Sequence, residues 1–128
     1  MRNIPAVAIV DDDESVRDTT KDLLDSAGLS AATFDSAESF LRSEGRCAVR
    51  CLVADMRMPG MTGLELHGRL AAAGTPIPTV LITAYPDERV RSRALEIGVI
   101  CFLAKPFSAE DLLAFVQTAL HEAHDHVS

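Results

Sequence analysis

Residues 52–60 read LVADMRMPG, an apolar run followed by a carboxylate and a loop. The apolar run ends abruptly at Asp55, and Pro59 and Gly60 then mark a loop. A short apolar run between turn signals is typical of a buried strand. Because burying an unpaired carboxylate is very costly, Asp55 must meet water, a cation or a partner at the edge of a sheet.

Four further apolar runs alternate with helical patterns. We predict strands over residues 6–10, 29–34, 49–54, 79–83 and 99–104. Helix signals lie between them, including the Thr-x-x-Glu capping spacing of Thr62 and Glu65 and the glycine cap at Gly28. Strict alternation predicts an α/β domain with a doubly wound parallel sheet. Four runs lack polar alternation, which indicates helices on both faces of the sheet.

Composition and charge narrow the class of protein. The 128 residues are 48% hydrophobic and 24% charged, which suits one globular domain. A net charge of −7 argues against a nucleic-acid surface, and no run reaches the roughly 18 apolar residues of a membrane span. Cys47, Cys51 and Cys101 lack metal-ligand spacing and fit a reducing compartment, so we expect a cytoplasmic protein. We assign residues 1–121 to the domain and 122–128 to a polar tail that frays.

Several polar side chains should meet at one edge of this sheet. Right-handed crossovers place the carboxyl ends of all parallel strands on the same side. Ligands of open doubly wound sheets bind at that edge. The residues that end four of the predicted strands there are Asp11, Asp12, Asp55, Thr83 and Lys105.

These groups suit phosphoryl chemistry. Two carboxylates about 4 Å apart repel by roughly 4 kcal/mol at an effective dielectric of about 20, and a divalent cation would relieve this. Oxygen ligands alone favour Mg²⁺ over Zn²⁺. Lys105 adds a positive charge and Thr83 a hydroxyl donor. Since carboxylates can attack phosphorus, we infer a Mg²⁺-dependent aspartyl-phosphate site.

Four motifs, in order, carry a resemblance to a known family. They are IVDD at residues 9–12, DMRMPGMTG at 55–63, ITA at 82–84 and KPF at 105–107. Together they resemble the receiver domain of bacterial two-component response regulators, with the greatest similarity to FixJ-type receivers. The resemblance covers nearly the whole chain. It implies the CheY-like, flavodoxin-like (βα)5 sandwich with strand order 2-1-3-4-5.

The resemblance implies roles for the acidic residues. Asp55 would accept the phosphoryl group, and Asp11 and Asp12 would bind Mg²⁺ together with Asp55 and the backbone carbonyl of Arg57. Asp13 extends the acidic pair to a triplet, and we interpret it as a helix N-cap because aspartate is strongly preferred there.

The resemblance also implies roles on the last two strands. Thr83, Ala84 and Lys105 would bind the phosphoryl group, and Thr83 and Phe102 would change position on activation. The peptide bond before Pro106 would be cis.

Partners follow from the same resemblance. A sensor histidine kinase or a histidine phosphotransfer protein would donate the phosphoryl group. The added charge of about −1.5 to −2 would alter the surface of the fourth helix, fifth strand and fifth helix, where a homodimer is expected. The chain would catalyse only its own phosphorylation and autodephosphorylation. FixJ-type regulators usually carry a helix-turn-helix output domain, so transcription regulation through such a domain is a further expectation.

Two alternatives stay open from the residues. One is a Mg²⁺-dependent phosphohydrolase with Asp55 as nucleophile, although Arg57 stands where a second acidic residue would be expected. The other is a pseudo-receiver that binds a partner without being phosphorylated. Outside the site, we expect His67 to lie on the surface of the third helix.

Overall fold

A computed structural model describes residues 6–43 and 48–127, with side chains up to residue 121; Cys47 lies outside the described residues. Strands and helices alternate along this part of the chain. The strands are β1 (Val7–Val10), β2 (Ala31–Phe34), β3 (Cys51–Asp55), β4 (Thr79–Thr83) and β5 (Cys101–Ala104). The helices are α1 (Glu14–Ser26), α2 (Ala37–Arg42), α3 (Gly63–Ala72), α4 (Glu88–Glu96) and α5 (Ala109–Val127).

The five strands form one parallel sheet in the order β2-β1-β3-β4-β5, which confirms the predicted fold. The strand order reverses between β1 and β3, because the chain passes from β1 to β2 on one side and returns to β3 on the other. Val10 pairs with Ala54, so the residues that follow, Asp11 and Asp55, emerge side by side at that point.

Alternate strand residues feed two separate cores. Ala8, Leu52 and Leu81 pack with α2, α3 and α4 on one face of the sheet. Ile9 and Val53 pack with α1 and α5 on the other face. Helices therefore cover both faces, as the unbroken apolar runs predicted.

Three strands begin two residues later than predicted. The amides of Leu29 and Val99 donate to the carbonyls of Leu24 and Ala94, at 2.9 and 3.0 Å. These residues therefore close the ends of the preceding helices before the strands begin. β3 likewise starts at Cys51.

The last helix extends further than predicted, and α4 ends at an exposed residue. α5 continues through Val127, so the segment that we expected to fray is helical. No glycine or proline occurs between residues 109 and 127 to stop this helix. Ile97 is the C-cap of α4 and is 41% exposed.

His67 is buried, so the predicted surface position is wrong. Its imidazole is 4% exposed, with Nδ1 lying 2.9 Å from Thr79 Oγ1 and Nε2 3.1 Å from the carbonyl oxygen of Ile97. Because a carbonyl oxygen only accepts, Nε2 carries a proton and donates to Ile97. The imidazole thereby ties α3 to the start of β4 and to the C-terminal end of α4.

Replacing His67 with alanine should lower the free energy of unfolding by about 1–3 kcal/mol, since buried partners lose their hydrogen bonds. Urea denaturation measures the change. Arg69→Ala, on the exposed side of the same helix, is the matched control and should change stability by less than about 0.5 kcal/mol. A His67→Ala variant as stable as that control would contradict the structural role of the imidazole.

Candidate functional site

Three carboxylates meet at the carboxyl edge of the sheet. One oxygen each from Asp11, Asp12 and Asp55 lies within 4.8 Å of the other two, a grouping that could hold a metal ion. Asp11 and Asp55 are buried, whereas Asp12 is exposed. Asp13 instead caps α1, because its Oδ1 accepts hydrogen bonds from two amides of the first turn, at 2.9 and 3.3 Å. The structure thus separates the capping residue from the acidic cluster.

The pKa of Asp11 is raised by its surroundings in this cluster. Burial raises the pKa of its carboxyl from 3.8 to about 6, and the negative charge of Asp55 acts in the same direction. A hydrogen bond of 2.9 Å from the amide of Asp13 and the ammonium of Lys105 both lower that pKa. The effect of burial on the pKa is larger than that of these two groups. The Asp13 amide and Lys105 therefore stabilise the charge of Asp11 only in part.

Lys105, which follows the edge strand β5, brings a positive charge to the cluster. Its Nζ lies 3.4 Å from Asp11 Oδ2 and 3.5 Å from Asp55 Oδ2. Its amide donates to the carbonyl oxygen of Thr83 at 2.7 Å, which holds the end of β5 against the end of β4. The Lys105–Pro106 bond is cis, the geometry that the resemblance implies. Lys105 contacts two of the three carboxylates, so the cluster retains an excess of negative charge.

Thr83 and Phe102 lie on the two strands, β4 and β5, that follow β3 in the sheet. Thr83 is 1% exposed, and its Oγ1 accepts a hydrogen bond from the amide of Tyr85 at 3.1 Å. Thr83 and half-buried Phe102 line a cavity of about 570 Å³. Ala84 is exposed and lines a different groove, on the α1 side, with Lys105. Two consecutive residues at the end of β4 thus line different depressions, Thr83 the cavity and Ala84 the groove.

The loop from β3 to α3 is held close to Asp55. The amide of Arg57 donates to Asp55 Oδ1 at 3.2 Å. A Cβ on Gly63 would lie 2.5 Å from the carbonyl oxygen of Asp55, so only glycine allows α3 to begin against the end of β3. The capping box of Thr62 and Glu65, with hydrogen bonds of 3.1 and 3.0 Å, confirms the predicted start of this helix.

Two contacts at the site were missed by the sequence reasoning. Arg17 of α1 donates from Nη1 to the carbonyl oxygen of Asp11 at 2.8 Å. The guanidinium of Arg57 lies over the ring of Tyr85, 4.8 Å from the centroid, at the mouth of the cavity. An arginine in the first turn of a helix is ordinarily solvated, so the sequence offered no signal that would set Arg17 apart.

Comparison with known proteins decides the family. The model of the response regulator receiver domain matches residues 7–117. The chain belongs to this family. The expected fold and the expected family are both confirmed, and the receiver domain is a signalling component of a two-component system.

Individual relatives agree with this assignment. The receiver domain is 37% identical over 117 residues to the transcriptional regulatory protein FixJ of Bradyrhizobium diazoefficiens, which covers 91% of this chain and 57% of that protein. It is 41% identical over 114 residues to the response regulator TmoT of Ectopseudomonas mendocina, covering 89% of this chain and 52% of that protein. The chain thus spans about half the length of these curated relatives.

Solved structures show the same fold. The response regulator StyR superposes with a TM-score of 0.88 at 44% identity, covering 97% of this chain and 63% of that one. The FixJ-N structure gives a TM-score of 0.81 at 33% identity and covers 94% of this chain and 96% of that one. Every helix in the described part of the receiver domain is too short or too polar to cross a bilayer.

Asp11→Asn should stabilise the receiver domain in the absence of divalent cations, by about 1–3 kcal/mol at neutral pH. The folded-state pKa of about 6 exceeds the unfolded value of 3.8, so the wild type loses stability as the pH rises through this interval. Urea unfolding in the presence of a chelator measures the difference. Asp13→Asn, which keeps a good helix cap, is the control and should change little. An Asp11→Asn variant less stable than the wild type would show that Lys105 outweighs burial and repulsion.

Proposed function

We propose that the receiver domain accepts a phosphoryl group on Asp55 from a sensor histidine kinase or a histidine phosphotransfer protein, in a reaction that requires Mg²⁺. The observation that carries this proposal is the convergence of three carboxylates with the ammonium of Lys105 at one edge of the sheet. The family assignment supports it. The domain acts as a switch in the cytoplasm and catalyses only its own phosphorylation and autodephosphorylation.

The donor set fits Mg²⁺. Asp11, Asp12 and Asp55 present oxygens within 4.8 Å of one another, and hard oxygen ligands suit this cation. The backbone carbonyl of Arg57 would be a further ligand. Partial compensation of Asp11, seen in its raised pKa, leaves charge for a cation to balance. When bound, Mg²⁺ supplies positive charge to the carboxylates and to the phosphoryl oxygens.

The chain's own residues position the acceptor. The amide of Arg57 holds Asp55 Oδ1 and Lys105 lies beside Oδ2, so the orientation of the carboxylate is restrained before the donor arrives. A carboxylate oxygen of Asp55 then forms the O–P bond as the P–N bond to the donor histidine breaks, and the histidine nitrogen keeps that electron pair. Lys105, the Thr83 hydroxyl and the amide of Ala84 would bind the phosphoryl oxygens.

The cavity beside Thr83 provides a route from the site to the surface. The Thr83 hydroxyl can donate to a phosphoryl oxygen, since its present contact with Tyr85 uses only its acceptor capacity. Movement of Thr83 towards Asp55 would open space next to Phe102, which lines the same cavity. Phe102 would then move inward and change the surface of α4, β5 and α5.

The output extends beyond this domain. Relatives that the chain half covers are described as transcriptional regulatory proteins, and we propose regulation of transcription through an effector domain of that kind. The net charge of −7 suggests that the receiver domain itself does not bind DNA. Its unpaired thiols, Cys51 and Cys101, suit a reducing compartment.

Asp55→Asn should abolish phosphorylation by acetyl phosphate or by the cognate kinase in the presence of Mg²⁺, because an amide is not a competent nucleophile. Intact-mass spectrometry and phosphate-affinity gels measure the modification. Asp13→Asn is the matched control and should be phosphorylated like the wild type, since Asp13 caps α1 outside the cluster.

An Asp55→Asn variant that is phosphorylated as well as the wild type would contradict the assignment of the acceptor. A wild type that is never phosphorylated, and binds no fluoroberyllate, would favour the pseudo-receiver alternative. Membership of the receiver family argues against the phosphohydrolase alternative, and only multiple turnover on small phosphoesters would restore it.

Fluoroberyllate with Mg²⁺ should convert the receiver domain into a homodimer through α4, β5 and α5. Leu95 and Ile97 of α4 and its C-cap are 40% and 41% exposed and offer apolar surface for such an interface. Analytical ultracentrifugation measures the change, with Asp55→Asn as the control that stays monomeric. Leu95→Glu should weaken the dimer. A sedimentation profile that fluoroberyllate leaves unchanged would contradict this interface.

A further inference from the structure

We propose that Arg17 is a positioning residue for the metal-binding pair Asp11 and Asp12, acting on the peptide group that joins them. This inference rests on the proposed function of the site. Its basis is the hydrogen bond of 2.8 Å from Arg17 Nη1 to the carbonyl oxygen of Asp11. No role for this residue followed from its place in the sequence.

The contact controls the direction of Asp12 through a planar group. The carbonyl of Asp11 and the amide and Cα of Asp12 lie in one peptide plane. A guanidinium that holds the carbonyl oxygen therefore restrains the peptide plane and, with it, the position of the Asp12 Cα. Asp12 is exposed, whereas Asp11 is buried, so the backbone is the main restraint on Asp12.

Every other polar group of Asp11 is held by the fold. Its amide donates to the carbonyl oxygen of Phe34 on β2 at 3.1 Å. Its Oδ1 accepts from the amide of Asp13, and its Oδ2 lies 3.4 Å from the Nζ of Lys105. Arg17 adds the contact to the carbonyl, at the point where β1 has already ended. The four contacts together hold the residue that starts the acidic pair.

Arg17 is itself held by the helix that the acidic run caps. The amide of Arg17 donates to the carbonyl oxygen of Asp13 at 3.0 Å, and Asp13 is the N-cap of α1. Asp13 therefore fixes the helix that carries Arg17, and Arg17 returns six residues along the chain to Asp11. The half-buried side chain of Arg17 thus connects the first turn of α1 to the first residue of the pair.

The direction in which the Mg²⁺ affinity changes when Arg17 is removed distinguishes a positioning role from a simple effect of its charge. A positive group near the carboxylates opposes the binding of a cation by simple repulsion. If Arg17 acted only as a charge, its removal would tighten Mg²⁺ binding. If it positions the pair, its removal weakens Mg²⁺ binding, since partners that orient metal ligands commonly contribute tenfold or more to affinity.

Arg17→Met should weaken the affinity for Mg²⁺ alone by about tenfold, measured by isothermal titration calorimetry. Arg17→Lys should recover part of that affinity, because an ammonium can still donate to the carbonyl but lacks the planar guanidinium. Lys21→Ala is the matched control: it removes one positive charge from the same helix, where Lys21 pairs with Asp25 at 2.6 Å, and should leave the affinity unchanged.

The Mg²⁺ affinities of the wild type and of Arg17→Met distinguish failure of the proposed function from failure of the proposed role of Arg17. A wild type that binds no Mg²⁺ overturns the proposed function of the site. A wild type that binds Mg²⁺, with a folded Arg17→Met that binds it equally or more tightly, overturns the role of Arg17 alone. Circular dichroism reports whether the variant is folded, and Arg17→Gln replaces it if it is not.

The wild-type protein supplies an independent test. In a Mg²⁺ titration followed by NMR, the guanidinium signals of Arg17 should shift at the same concentration as the amide of Asp12. Guanidinium signals that do not respond while the Asp12 amide shifts would overturn the proposal whether or not any variant folds.

Discussion

The repulsion among Asp11, Asp12 and Asp55 is the constraint on which the rest of the site depends. Two of these carboxylates are buried, and the raised pKa of Asp11 shows that the fold disfavours its ionised form. Lys105 reaches both buried carboxylates but leaves negative charge in excess. The receiver domain thus maintains, at the edge of its sheet, an excess of negative charge that a cation could balance, at the expense of its own stability.

The fold maintains this arrangement through backbone contacts more than through the carboxylates themselves. The reversal of strand order places the ends of β1 and β3 next to each other, so two acidic residues emerge from adjacent strands. Gly63 lets α3 begin in contact with the carbonyl of Asp55, and Asp13 fixes the start of α1. Repelling side chains are therefore kept together because their backbones have little freedom to separate.

Much of the fold and of the site can be predicted from the sequence because a polar residue marks the end of each apolar strand. An apolar run that stops at a polar residue marks both the strand and the edge at which that residue lies, which brought together Asp11, Asp55, Thr83 and Lys105. The capping box of Thr62 and Glu65 fixed the start of α3 in the same local way. Local patterns sufficed because parallel topology then places all these ends on one side.

What the sequence did not reveal are the contacts that long side chains make across elements. His67 meets Ile97 30 residues further along the chain, and its position next to Leu66 on α3 gave no sign that it would be buried. The contact of Arg17 with Asp11 and the stacking of Arg57 on Tyr85 likewise depend on the paths of flexible side chains. Hydrophobic periodicity reports which face of an element is buried, and it carries no information on such paths.

Hydrogen bonds connect both ends of α4 to other elements of the fold, one of them through Thr83 at the acidic edge. Thr83 accepts from the amide of Tyr85 through its hydroxyl and from the amide of Lys105 through its carbonyl, so it joins the loop before α4 to the end of β5. The C-terminal end of α4 is fixed by the hydrogen bond from His67 to Ile97. Its N-terminal end instead lines the cavity that Thr83 also lines, through Val90. A displacement of Thr83 would therefore reach α4 at its N-terminal end, through the hydrogen bond to Tyr85 and the cavity wall at Val90, while His67 holds the opposite end.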